Sequence, residues 1–380
     1  MSETISQRSS AGGAPAPGTL AAAWAPRSVG ARPLRMEDMR PPHVLRKLIR
    51  ALTRPIGVDQ LARQAYVQAG LTGERLGRAI HGHARPSDAA LLVAGGRSGS
   101  TWVADILARC GGVQQIFEPV HPSGVDEVRR LTGWDEARHP HLRSFYLRPG
   151  QSYPDWEAFL ERVLTGRVRN YWTDSQRTSY FPRRYLLKVI RANLMVGFLV
   201  DRFAPRVALI VRHPCAVVAS RLEAGWHADV QDLLCQEELV EDHLRPWLAE
   251  IEAERDLVGA HAVWWAVETF VAASQLAMRP HYFATYESIV SNPVEEMTRI
   301  AVALGISPKR IAALDLHEPS RTASDEVRMM GASDPHSRWR SKLASDDQSR
   351  ILKWALRLGL DWYDSDGLPR VESGRAPKVS

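Results

Sequence analysis

A short apolar run that stops in glycines constrains this chain most. Ala89-Ala-Leu-Leu-Val-Ala-Gly95 leads directly into Gly96-Arg-Ser-Gly-Ser-Thr-Trp102. A brief apolar run without polar alternation reads as a strand buried on both faces. From Thr101 to Cys110 the apolar residues Trp102, Ile106 and Leu107 fall at helical spacing, so a helix follows. A glycine-rich turn between a buried strand and a helix presents backbone N–H groups to an anion at the helix N-terminus. Glycine permits the tight turn and the close approach of a ligand. Arg97 adds a fixed positive charge with several donors, and Ser98, Ser100 and Thr101 add hydroxyls. An ordinary capped glycine turn needs neither the arginine nor three hydroxyls, so an anion cradle is the better reading.

The strand-then-helix order repeats. Tyr185–Ile190, Arg206–Val211 and His281–Thr285 read as strands, and Glu118 falls at the C-terminal edge of another. Helices are expected up to Phe203, over Pro214–Glu223, through much of 230–278, over Pro293–Leu304 and over Asp346–Leu358. Pro214 suits a first helical turn. This alternation predicts an α/β fold of the P-loop type, a three-layer sandwich with a central parallel sheet and helices on both faces. Residues 1–40, rich in Ser, Ala, Gly, Pro and Arg, are expected to be disordered. Residues 41–85 read as a helical extension interrupted at Pro55, and 86–365 as the main domain with an insertion at about 121–180. Residues 366–380 read as a flexible tail.

Composition narrows the functional classes without choosing one. Of 380 residues, 44% are hydrophobic and 24% charged, as in a soluble globular protein. The net charge of +6 suits an anionic ligand but has the same sign as a nucleic-acid or membrane binder. Cys110, Cys215 and Cys235 have no metal-ligand spacing and make no disulfide framework, which predicts reduced thiols. The apolar stretch Ala260–Met278 carries His261 and Glu268, and the N-terminus shows no continuous apolar run. The expectation is a cytoplasmic protein with no transmembrane segment and no nucleic-acid partner.

The loop departs from the ATP/GTP pattern G-x-x-x-x-G-K-[ST], because no Gly-Lys-Ser/Thr occurs. Such enzymes also hold Mg²⁺ with an Asp at the end of a neighbouring strand. Here the strand Val207–Val211 ends in Arg212-His213-Pro214. A cation at that place suits a second anionic group, so the ligand is expected to have two separated anionic ends and to need no metal.

These residues resemble the sulfotransferases that use PAPS (3′-phosphoadenosine 5′-phosphosulfate). The family's loop [KR]-S-G-[ST]-[ST]-W reads here Arg97-Ser98-Gly99-Ser100-Thr101-Trp102. Its second signature, an apolar strand, V-R-[DH]-P and a helix with a Ser, reads Ile210-Val-Arg-His-Pro214 through Ser220. The resemblance implies that Arg212 and Ser220 hold the 3′-phosphate. Arg97 in place of Lys is similar to the carbohydrate and tyrosylprotein branches. Phe117-Glu118-Pro119 is similar to the carbohydrate branch, and a Glu near this place is the base of the tyrosylprotein branch. Lys188 is similar to that branch's transfer-assisting Lys. Tyr286-Glu287 with Asn292-Pro293 resembles a segment whose Tyr lies near the adenine. Ser324-Asp-Glu-Val327, Trp339 and Gly359–Tyr363 resemble the C-terminal part of the tyrosylprotein branch, which adds Ser324 to the donor-binding residues. The R-K-G segment of the small-molecule branch is replaced by Met329-Met330-Gly331, so Arg328, Arg338 or Arg340 would substitute, with Arg340 chosen.

The chemistry that follows is sulfuryl transfer to a hydroxyl-bearing acceptor, whether small molecule, carbohydrate, lipid or tyrosyl. Such transfer is a matter of positioning and electrostatics. The attacking hydroxyl loses a proton, for which Glu118 is the first choice of base and His121 the second. Charge gathers on the oxygen joining sulfur to phosphate, where Arg97, Lys188 and the helix amides can stabilise it. Trp102 can stack on adenine or pack in the core, while Trp264 and Trp265 read as core. A P-loop kinase-like phosphotransferase and a non-catalytic nucleotide-binding protein remain open as alternatives. Specificity for the acceptor is assigned to 121–180.

Overall fold

The structure, a computed structural model, describes residues 56–81, 84–133, 144–176, 178–179, 182–316, 337–374 and 376–377. The expected disordered segment 1–40 and Ser324 lie outside the described residues. By its contacts the chain divides into a unit ending at Asp59 and a unit from Gln60 to Ser380, and the second unit carries the sheet.

Five strands form one sheet: β1 (Ala90–Ala94), β2 (Val113–Phe117), β3 (Arg184–Val189), β4 (Arg206–Val211) and β5 (Tyr282–Thr285). All are parallel, in the order β2-β3-β1-β4-β5. The expected α/β sandwich is what the chain forms. Its helices are α1 (Ile56–His81), α2 (Ser100–Ala108), α3 (Asp126–Thr132), α4 (Pro154–Leu164) and α5 (Val196–Phe203). They continue with α6 (Pro214–Glu223), α7 (Leu257–Leu276), α8 (Tyr286–Ser291), α9 (Pro293–Ala303) and α10 (Ser345–Arg357).

Successive strand residues point to opposite faces, and here each face has its own core. Leu91, Val93, Leu187, Val189, Val207 and Leu209 pack with α5, α6, α7 and α10 on one side. Ala90, Leu92, Ala94, Leu186, Ala208 and Ile210 pack with α2 and α9 on the other. That is why these strands are apolar throughout instead of alternating. Among the described residues α7 is the one helix long and apolar enough to cross a membrane, and 78% of its apolar window is buried inside the protein.

Both outer strands are covered. Along β2, Phe117 N–H donates to Thr173 O (3.0 Å) and Gln115 N–H to Thr178 Oγ1 (3.1 Å). Along β5, Phe283 N–H donates to Gly374 O (2.7 Å) and Gly374 N–H returns to Phe283 O (2.8 Å). The 121–180 region contributes α3, α4 and this edge segment, and Tyr66 of α1 donates to Asp174 O (2.9 Å).

The strand order reverses at β1, since the chain passes to β2 on one side and β4 lies on the other. Loops leaving the C-terminal ends diverge at such a point and open a crevice. The ends of β1, β2, β3 and β4 are where the sequence places its candidate residues. Leu92 lies in the middle of β1 with no exposed surface. We expect Leu92→Ala to cost about 2–5 kcal/mol, seen as a lower urea midpoint with an unchanged m-value.

Candidate functional site

At the end of β1 the chain turns through Gly95–Gly99 into α2. Gly99 precedes the helix at φ +82° with no side-chain cap. The first-turn N–H groups of a helix have no acceptors within it, so this end is suited to an anion. A Cβ on Gly99 would collide with the Tyr286 ring, so both φ and space require glycine. Arg97 takes φ +75°, a region few non-glycine residues occupy. Its Nε donates to Ser220 Oγ on α6 at 2.9 Å.

Arg212, just past β4, donates from Nη1 to Arg97 O (3.2 Å) and lies 4.4 Å from the Tyr286 ring centroid. Its Nε is buried with no hydrogen-bond partner. Burial, and next the Arg212 guanidinium, push the Arg97 pKa below its ordinary value. Two crowded guanidinium groups beside a helix N-terminus favour a negative ligand. Ser98 and Ser100 are buried in the loop, Thr101 is half-buried, and Trp102 meets Tyr286 edge-on with centroids 6.4 Å apart. The structure thus gathers Arg97, Ser98, Gly99, Ser100, Thr101, Trp102, Arg212, Ser220 and Tyr286. Arg340 is exposed, donates to Ser365 O and lies 5.3 Å over Trp339, whose ring stacks on His213 next to Arg212.

A second group forms where β2 and β3 end. The ladder sets Phe117 opposite Lys188, and Glu118 N–H donates to Lys188 O (3.1 Å). Lys188 Nζ then reaches Glu118 Oε1 at 2.8 Å, both side chains being buried, and lies 4.6 Å over the Phe117 ring. Glu118 takes φ +40°. His121 is buried on the same turn, its Nδ1 accepting from Ser123 N–H (3.1 Å) and its ring 4.9 Å from Trp172.

Several residues escaped the sequence reading. Arg191 Nε lies 3.7 Å from Glu118 Oε2. Trp172 Nε1 donates to Glu118 O (3.2 Å) and so ties the inserted region to this turn. Arg221, next to Ser220, donates to Gly96 O (3.2 Å) and pairs with Glu268 of α7 at 2.9 Å. A cavity of about 60 Å³ lies beside Gly96 and Arg191, bordered also by Trp226, Trp264 and His261. The available signal for the last group was His261 and Glu268, the ionisable residues within an otherwise apolar helix.

Two histidines are held neutral. His213 caps α6, with Nδ1 accepting from Cys215 N–H (3.2 Å) and Nε2 at 2.8 Å from Asp364 O, and it stacks on Trp339 at 4.5 Å. Burial pushes His213 down to about 4, and burial pushes His261 to about 4 as well. Among the described residues no cluster of three or more His, Cys, Asp or Glu could hold a metal ion.

No protein-family model matches the sequence. No curated protein matches it. Among solved structures, the sulfotransferase domain from the curacin biosynthetic pathway is similar over 71% of this chain and 97% of its own, with 16% identity and a TM-score of 0.36. A sulfotransferase from Alicyclobacillus acidocaldarius is similar over 72% of this chain and 96% of its own, with 13% identity and a TM-score of 0.36. The sulfotransferase domain of the Synechococcus PCC 7002 olefin synthase is similar over 74% and 97%, with 17% identity and a TM-score of 0.34. Likenesses this distant leave the function to be argued from the residues.

Two outcomes follow from the geometry. Glu118→Gln leaves the Lys188 ammonium buried opposite a neutral group. Breaking a buried pair costs about 3–5 kcal/mol, and the double variant Glu118→Gln/Lys188→Met should recover most of that in denaturant titrations. The unfolded chain binds more protons than the native state between about pH 6.5 and 4, because both histidines have lowered folded pKa values. Their contribution to stability is complete above about 6.5 and lost as pH falls towards 4. His213→Asn, which keeps a capping oxygen, should flatten that fall in the urea midpoint.

Proposed function

We propose that this protein is a sulfotransferase that moves a sulfuryl group from PAPS to an acceptor hydroxyl. The observation that carries the reading is the group of Arg97, Arg212 and Ser220 drawn against the glycine loop, with a buried Arg212 Nε that has no partner. It offers cationic donors to two anionic ends of one nucleotide. The loop and α2 N-terminus would take the phosphosulfate, and Arg212 with Ser220 the 3′-phosphate. Trp102 and Tyr286 stand beside this group as aromatic partners for the base. The charge is supplied by side chains and amides, so donor binding is expected to need no metal.

In the transfer the acceptor oxygen forms a bond to sulfur as the bond from sulfur to the bridging oxygen breaks. The acceptor proton passes to the Glu118 carboxylate, and adenosine 3′,5′-bisphosphate (PAP) leaves with the added negative charge. Lys188 and Arg97 supply positive charge towards the bridging oxygen. His121, with Nδ1 engaged by Ser123 N–H, is the weaker choice of base.

The protein is expected to bind PAP in calorimetry with EDTA present. Arg212→Ala should weaken that binding about 10- to 100-fold, the range for lost charge-assisted hydrogen bonds. Glu118→Gln, measured where circular dichroism shows it folded, should bind PAP normally while turnover falls about 10²- to 10⁴-fold. Failure to bind PAP together with tight ATP–Mg²⁺ binding would overturn the reading in favour of a phosphotransferase. Equal loss of PAP binding in both variants would refute the separate roles of Arg212 and Glu118.

A further inference from the structure

The peptide unit that follows Arg212 is held on both sides by side chains. Its carbonyl, that of Arg212, accepts from Trp265 Nε1 of α7 at 3.1 Å. Its N–H, that of His213, donates to Glu287 Oε1 of α8 at 3.0 Å. The C=O and N–H of a trans peptide point in opposite directions, so Trp265 and Glu287 clamp one plane from either side. The next residue is Pro214, which has no N–H and confines His213 to extended backbone. The chain therefore leaves β4 along a path with little freedom, and Arg212 stands at its start.

Glu287 is itself braced. Tyr363 O–H donates to its Oε2 at 2.9 Å, and Glu287, Tyr363 and His213 are all buried. Burial pushes the Glu287 carboxyl up, while the His213 N–H and then the Arg212 charge pull it down. A buried carboxyl is costly unless hydrogen-bonded, and here both oxygens are engaged. The preceding residue, Tyr286, has its ring centroid 4.4 Å from the Arg212 guanidinium. Two consecutive residues of α8 thus take two parts of one turn, the ring its side chain and the carboxyl its backbone. None of these contacts uses Arg212 Nε, which is buried with no hydrogen-bond partner.

We propose that Glu287 and Trp265 are positioning residues for Arg212, fixing the peptide behind it so that its guanidinium meets the 3′-phosphate of the donor. The inference rests on the PAPS reading above and extends it to two buried residues on other helices. Because they act through Arg212, the 3′-phosphate is the part of the ligand that should sense them.

The probes are PAP and adenosine 5′-phosphate, which differ by that phosphate. Affinities are read by calorimetry on variants that circular dichroism shows folded. Glu287→Leu removes the acceptor for His213 N–H. Glu287→Gln keeps an oxygen there, with an amide that can donate to the Tyr363 hydroxyl. Trp265→Phe opens the other side of the clamp and carries the test if Glu287→Leu does not fold. Glu287→Leu and Trp265→Phe should each weaken PAP about 5- to 20-fold, within the coupling range for residues of one network, and leave adenosine 5′-phosphate unchanged. Glu287→Gln should stay within about 3-fold of the wild type for PAP. In an Arg212→Ala background the same substitutions should add less than about 2-fold, because the group they position is gone. Equal weakening of both nucleotides, full additivity with Arg212→Ala, or unchanged PAP affinity in the folded variants would overturn the proposal. The parent proteins separate the failures. A wild type that does not bind PAP sinks the donor reading itself. A wild type that binds PAP and is weakened by Arg212→Ala, with no specific effect at Glu287 or Trp265, sinks this inference alone.

Discussion

Arg221 and Glu268 meet at 2.9 Å with side chains only 5% and 7% exposed, and Arg221 Nε also holds the Gly96 carbonyl. A buried ion pair offsets its desolvation only when its geometry is good and its other donors are satisfied. Here the loop carbonyl is part of that satisfaction, so α6, α7 and the glycine loop are held as one body. Ser220, the preceding residue on α6, takes Arg97 from the other end of the loop. Two consecutive residues of one helix thus fix the cradle. The same pair brings α7 to the cavity, with His261 seven residues before Glu268 and so on the same helical face.

What can be read from the sequence is what short stretches encode. The apolar runs at β1, β3, β4 and β5 name their strands within about a residue, because burial on both faces leaves no polar alternation to confuse them. β2, Val113-Gln-Gln-Ile-Phe117, is harder to read: two glutamines interrupt it, and it lies at the sheet edge. The loop and the Arg212–Ser220 signature are also local and can be read directly. Arg221–Glu268 spans 47 residues and Trp172 reaches Glu118 across 54, and no local pattern announces such pairs. Trp264 reads as core and is buried, yet it also borders the cavity. Glu118 and Lys188 read as residues with separate roles, and only the β2–β3 register sets them against each other.

Backbone strain falls in the same places. Among the described residues, Arg97, Glu118 and Ala204 are the non-glycine residues at positive φ. Such conformations cost of order 1–3 kcal/mol and persist where surroundings over-determine them. Arg97 is held by Ser220 Oγ and by Arg212 on its carbonyl. Glu118 is held through its N–H by Lys188 O and through its carbonyl by Trp172 and His121. Arg97 and Glu118 each stand at the head of one of the two groups that the proposed reaction needs, while Ala204 closes α5.

The covered strand edges have a consequence for the chain among its own copies. An open outer strand offers a row of N–H and C=O groups to any other chain with a matching edge. Along β2 that row is partly taken by Thr173 and Thr178, and at β5 Gly374 pairs with Phe283. The inserted region and the C-terminal segment, the two parts with least to say in the sequence, therefore act as end-stops for the sheet. On the β2 side the same stretch that stops the sheet also sets the turn beyond it, because Thr173 takes the N–H of Phe117 and Trp172 the carbonyl of Glu118.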